Sequence, residues 1–116
     1  MHSLIVVAHP DPASLTHAVA ARIGQAITGA DARNTVTVAD LAAEGFDPRF
    51  NTADIGLLKP GAAVPVDVAA AHPRVDAAAP PVLVSSVYWW SVAALPTGFI
   101  DWSLTPGWAH ACGSVL

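Results

Sequence analysis

Five consecutive apolar residues, Leu4-Ile5-Val6-Val7-Ala8, stop at His9-Pro10-Asp11-Pro12. A short, continuous, largely β-branched run has no polar face to turn to water, so it reads as a strand covered on both sides, as inside a parallel sheet. The prolines that follow can neither extend the strand nor enter a helix before Pro12. A loop is required there. Ser14 is then placed to cap a helix, and Leu15, Val19, Ile23, Ala26, Ile27 and Ala30 recur on one stripe at helical spacing, with Gly29 near the end as a stop signal. Thr35-Val36-Thr37-Val38-Ala39-Asp40 predicts a second strand. Strand, helix and strand in this order make a right-handed parallel crossover, and the fold class is α/β.

Beyond Leu41 the pattern weakens. Phe46-Asp47-Pro48, Pro60-Gly61, Pro65 and Pro73 punctuate an Ala-rich stretch, in which 66–71 predicts a short helix before Pro73. Long irregular connections in compact α/β domains are often binding loops. Pro80-Pro81 opens a third strand, Val82 to Ser86, and a helix is predicted over 93–102, starting late enough to keep Pro96 in its first turn. No repeat or linker divides the 116 residues. They are expected to form one domain, 1–116, incomplete at its C-terminal end, because a doubly wound sheet usually carries five strands rather than three.

Charged residues make up only 12% of the chain and apolar residues 53%. Isolated soluble domains carry roughly a quarter charged residues, so part of this apolar surface is expected to meet a partner. The net charge is −4, and the five Lys and Arg residues are scattered. No basic stripe can neutralise a phosphate backbone, which argues against nucleic acid as a partner. Cys112 is the single cysteine and cannot form an internal disulfide. The apolar run at the start is too short for a membrane span and has no basic leader, so a cytoplasmic location is expected.

Two places can carry chemistry. From His9 to Thr16 the chain enters the first helix, where free N–H groups and the positive helix end favour an anion such as a phosphate, and Ser14 and Thr16 bring hydroxyls. Ser14 serves equally well as a plain cap, and His9 as an ordinary loop histidine. Just past the third strand come Tyr88-Trp89-Trp90. Large flat side chains there line the crevice where such sheets bind ligands, although an aromatic cluster also suits a core or an interface.

Several blocks occur in order and at matching separations: Ile5-Val-Val-Ala-His-Pro10, Ser14 to Thr16, Asp40-Leu41, Glu44-Gly-Phe-Asp-Pro48, Val87-Tyr-Trp-Trp-Ser91, Gly98-Phe-Ile-Asp101 and Thr105-Pro-Gly-Trp108. Together they resemble the flavodoxin-like NAD(P)H:quinone oxidoreductases, the family of NAD(P)H dehydrogenase (quinone), over roughly the N-terminal three-fifths of a typical member. The resemblance implies a flavodoxin-like doubly wound parallel sheet, here with about three strands. It implies bound FAD, or FMN as in some relatives, with NAD(P)H as co-substrate and a quinone as acceptor, in a homodimer. The phosphates would be held by His9, Ser14, Leu15 and Thr16. The flavin ring would lie against Val87, Tyr88, Trp89 and Trp90, with Tyr88 and Trp89 nearest the reacting face. In such enzymes hydride passes from NAD(P)H to the flavin, and two electrons then pass to the quinone.

The sequence departs from that family at Ser86 and Ala93, where Pro is usual, at Pro96-Thr97, where Leu-Lys is usual, and at Trp102, where Arg is usual. These changes remove two positive charges from the helix after the flavin segment. Two other readings compete. One is a shortened, catalytically inactive flavodoxin-like domain that serves in interaction. The other starts from Ala8-His-Pro-Asp11, which resembles the opening of zinc-dependent deacetylases, but Pro12 stands where a second metal-binding Asp would be, and no later His-x-x-His compensates.

Overall fold

The structure, a computed structural model, describes residues 1–49, 51–56, 59, 61–88, 91–92 and 94–103. Strand β1 (His2–Ala8) is followed by helix α1 (Leu15–Ala30) and strand β2 (Thr35–Asp40). Helices α2 (Thr52–Gly56) and α3 (Val66–Asp76) lead to strand β3 (Ala79–Ser85). Two short strands, β4 (Val87–Tyr88) and β5 (Ser91–Val92), precede helix α4 (Ala94–Ser103).

The main sheet has the order β2-β1-β3, and both pairings are parallel. β1 lies in the middle and is buried from Ser3 to Ala8, as its unbroken apolar run requires. Alternate side chains of β1 divide the core. Leu4, Val6 and Ala8 join Ala39, Leu41, Ala71 and Phe99 on the face covered by α3 and α4. Ile5 and Val7 join Ala20 and Val84 on the face covered by α1. Helices on both faces of a parallel sheet make the architecture doubly wound.

β2 has the predicted bounds. β3 starts earlier than predicted and takes in Pro80 and Pro81. Its register with β1 shifts there, Ser3 pairing with Ala79 and Ile5 with Val82. A bulge accommodates residues that have no N–H for the ladder. β4 and β5 pair antiparallel, Val87 with Val92 and Tyr88 with Ser91.

Helix α3 runs past Pro73, where the sequence predicted a stop. Val68 and Ala71 are buried and Val75 packs against the same cluster, so one apolar stripe spans the proline, whose own side is exposed. Packing outweighs the lost hydrogen bond. In α4 the proline falls in the first turn, where no helical N–H is needed.

The stripe assigned to α1 is only partly the buried one. Ala20 is its buried residue, Ile23 and Ile27 pack beside it, while Leu15 is 79% exposed and Val19 41%. Small Ala20 lets the helix lie close to the sheet, so the contact line falls beside the large residues. Among the described residues, no helix is long and apolar enough to cross a membrane.

Candidate functional site

From β1 the chain crosses to β2 on one side, and after β2 it returns to the other side of β1 to form β3. The direction of winding therefore reverses between β1 and β3, and a crevice opens beyond their carboxyl ends. The loop that leaves β1 is folded by its own side chains. His9 accepts the Asp11 N–H at Nδ1 (3.0 Å), and Asp11 accepts the Ala13 N–H at Oδ1 (2.8 Å). The Asp11 carbonyl accepts the Ser14 N–H (3.1 Å). His9 Nδ1 also lies 3.2 Å from the Asp11 carbonyl oxygen, so the ring is held against the loop backbone.

Ser14 caps α1 in extended backbone conformation, φ −68° and ψ 158°, and its hydroxyl oxygen accepts the His17 N–H at 3.3 Å. The Leu15 and Thr16 N–H groups have no acceptor among the described residues. These are the orphan donors of a helix start, and the helix field there is positive. Thr16 Oγ1 lies 3.3 Å from Ser86 Oγ, which ties the first turn of α1 to the end of β3. A cleft of about 300 Å³ results, with His9, Ser14, Leu15 and Thr16 on one side and Val84, Ser85 and Ser86 on the other.

Behind the cleft, Ser14 Oγ lies 3.0 Å from Nδ1 of His17, whose Nε2 lies 2.8 Å from Oδ2 of Asp40 at the end of β2. The His17 hydrogen bond is the main cause holding the Asp40 carboxyl below its ordinary range, helped by the N–H groups of Ala43 and Ala42 and opposed by partial burial. An ionised Asp40 takes the hydrogen on Nε2. Nδ1 is then the acceptor, and the Ser14 hydroxyl donates to it. Serine, histidine and aspartate in this order activate nucleophiles in hydrolases. Here the serine oxygen also accepts a helical N–H, which holds it as a cap.

The structure thus brings together His9, Ser14, Leu15 and Thr16, the residues expected around a phosphate. The Ser14 hydrogen, expected to be free for a ligand, is directed at His17 instead. Val87 follows the cleft residue Ser86 directly and is 77% exposed, and the backbone of Tyr88 continues β4. Trp89, Trp90, Trp108 and Cys112 lie outside the described residues. His17, Asp40 and Ser86 were not singled out as site residues from the sequence. The only local signal was a histidine three positions after a capping serine, where its ring can reach back to the cap. For the zinc reading, among the described residues no three His, Cys, Asp or Glu side chains gather to hold a metal ion.

The profile of a family described as having the flavodoxin-like fold matches residues 1–114. The chain belongs to the flavodoxin-like fold family. Among solved structures it is similar to an NAD(P)H:quinone oxidoreductase from Methanothermobacter marburgensis, with 25% identity and a TM-score of 0.80 over 90% of this chain and 53% of that one. It is also similar to Smu.1420 from Streptococcus mutans UA159, with 27% identity and a TM-score of 0.74 over 94% of this chain and 56% of that one. A candidate quinone reductase from Klebsiella pneumoniae is 22% identical, with a TM-score of 0.73 over 90% of this chain and 46% of that one, a likeness that concerns the fold alone. No curated protein matches. The chain spans about half the length of these solved relatives. In flavodoxin-like sheets the crevice between β1 and β3 is the ligand position, and here it is lined by hydroxyls and by N–H groups that have no acceptor among the described residues.

Proposed function

We propose that the chain provides the flavin-phosphate part of an NAD(P)H:quinone oxidoreductase site. The observation that carries this reading is the cleft at the β1–β3 reversal, into which the first turn of α1 brings N–H groups without acceptors. Those donors and the positive helix end suit a phosphate or pyrophosphate, so this part of the crevice fits FAD, and FMN equally. Bound flavin would supply the redox chemistry, taking a hydride from NAD(P)H and delivering two electrons to a quinone.

This chain's own residues bind and orient. The Leu15 and Thr16 N–H groups hold the anion, His9 in the loop that leads into α1 lines the same side of the cleft, and the Thr16–Ser86 contact keeps the helix end in register with β3. Val87, Tyr88, Trp89 and Trp90, directly after the cleft, are the segment for the flavin ring, with Tyr88 and Trp89 toward the nicotinamide and quinone. We further propose one flavodoxin-like domain over 1–116, acting in the cytoplasm as a homodimer. A second reading, a flavin-binding or interaction domain without turnover, draws on the half-length match to the solved relatives.

Titration of the purified chain with FAD, FMN and riboflavin, followed by flavin fluorescence, tests the reading. Preferential retention of the phosphate-bearing flavins is expected, together with quinone-dependent oxidation of NADH or NADPH. Unquenched fluorescence for all three flavins would end it, and retention without turnover would favour the second reading.

A further inference from the structure

His17 stands behind the proposed phosphate position rather than in it. Its side chain is only 18% exposed, and each ring nitrogen is engaged by a side chain from a different element, Asp40 at the end of β2 and Ser14 at the helix cap. The His9 ring, from the loop after β1, meets it edge-on with centroids 6.4 Å apart. The Asp11 carboxylate in that loop accepts the Ala13 N–H instead. On the remaining side His17 borders a separate hollow, whose other lining includes the apolar Val7 and Val38. Asp40 and His9 are therefore the titratable groups that face His17 among the described residues.

The two protonation states of His17 direct Ser14 differently. Neutral His17 donates Nε2–H to Asp40 and accepts the Ser14 hydroxyl hydrogen at Nδ1, which leaves Ser14 only lone pairs to offer an anion. Protonated His17 keeps its bond to Asp40 but donates Nδ1–H to the Ser14 oxygen. The Ser14 hydrogen is then free to turn toward an anion beside the Leu15 and Thr16 N–H groups, and a positive charge lies one residue layer behind it. An anion there favours the second arrangement.

We propose that His17 is a proton-linked positioning residue for the phosphate-bearing ligand at the start of α1, with Asp40 fixing its ring, so that binding takes up a proton. The flavin identity of the ligand rests on the function proposed above, whereas the proton linkage needs only a phosphate group.

FAD affinity of the whole chain is measured by fluorescence from about pH 5.5 to about pH 8.5, across the range where imidazoles titrate. Wild type is compared with His17→Gln and Ser14→Ala, and the His17 ring protons are followed by NMR with and without inorganic pyrophosphate. Wild type is expected to bind FAD about tenfold more tightly at the acid end than at the alkaline end, the scale of one hydrogen bond to a charged group. His17→Gln loses that gain. Because His9 is present in both proteins, the difference between the two profiles is the readout. Pyrophosphate is expected to raise the His17 titration midpoint. If His17→Gln misfolds by circular dichroism, Ser14→Ala carries the test, since it should lose part of the acid gain while the His17 ring is retained. Matching profiles, or a midpoint that pyrophosphate leaves in place, would overturn the linkage while FAD binding upholds the flavin reading. A midpoint raised by pyrophosphate in a chain that ignores FAD would do the reverse. No response to either ligand sinks both.

Discussion

At Gly98 helix α4 passes so close to the turn after Phe46 that a side chain there has no room. A Cβ on Gly98 would meet the Pro48 Cβ first, and would lie 2.9 Å from the Pro48 Cα and 3.1 Å from its carbonyl oxygen. Two of those atoms are backbone and cannot rotate aside, so the helix or the turn would have to move by about half an ångström or more to restore ordinary contact. Both are anchored. Phe99, next along α4, is 7% exposed and packs edge-on against Phe46 with centroids 6.0 Å apart, and Pro96 is fully buried. Overpacking of this kind costs roughly 1–3 kcal/mol, whereas replacing a helical glycine by alanine returns at most about 1 kcal/mol. Gly98→Ala should therefore lose about 1–2 kcal/mol by urea unfolding. At Gly29, in the last turn of α1, a Cβ would have no atom within 4 Å. Gly29→Ala should accordingly gain about 0.5 kcal/mol. Equal stabilisation by the two alanines would refute the close approach of α4 to Pro48.

Leu4, 1% exposed in the larger core cluster, should cost about 2–5 kcal/mol when truncated to alanine, read as a fall in the urea midpoint without a change in slope. Ser14→Ala removes the cap of α1 and should cost about 1 kcal/mol in the same measurement. Thr16→Val breaks the contact with Ser86 and is expected to weaken FAD binding severalfold in fluorescence titration while stability stays within about 0.5 kcal/mol of wild type. The Asp40 carboxyl is held below its ordinary value of 3.8 in the fold, chiefly by His17. The unfolded chain then binds more protons than the folded one in acid, so this contribution is fully present above about pH 4 and fades as the pH falls through the folded value. The stability gap between wild type and Asp40→Asn should narrow below about pH 4 and persist above it, in urea unfolding at a series of pH values.

Much of the frame was legible because it rests on short-range rules. The unbroken run Leu4–Ala8 could only be a strand covered on both faces, and the alternation Thr35–Asp40 marked β2 to the residue. The errors fall where tertiary packing decides. Proline grammar stopped α3 at Pro73, but Val68, Ala71 and Val75 bury one stripe across it. Counting large apolar residues turned Leu15 and Val19 of α1 inward, whereas the helix meets the sheet along Ala20. The loop from His9 to Thr16 was readable from helix-start chemistry alone. The relay behind it was not, because His17 and Asp40 are 23 positions apart and meet only after β2 has paired with β1.

That pairing explains why the start of α1 is held firmly. The N–H donors of α1 are useful to an anion only if the helix start is held still, and three separate ties hold it. Ser14 closes the first turn on itself through the His17 N–H, the His17 ring joins that turn to the end of β2 through Asp40, and Thr16 joins it to the end of β3 through Ser86. β1, buried between those two strands, sets the distance between the two anchors. The two ties to the sheet end on polar side chains at its rim rather than in its core, so the side chains that join the donors to the sheet are largely separate from those that supply stability. Changes at Thr16 and His17 should accordingly alter affinity and its pH dependence more than the unfolding midpoint, and changes at Leu4 or Gly98 the reverse.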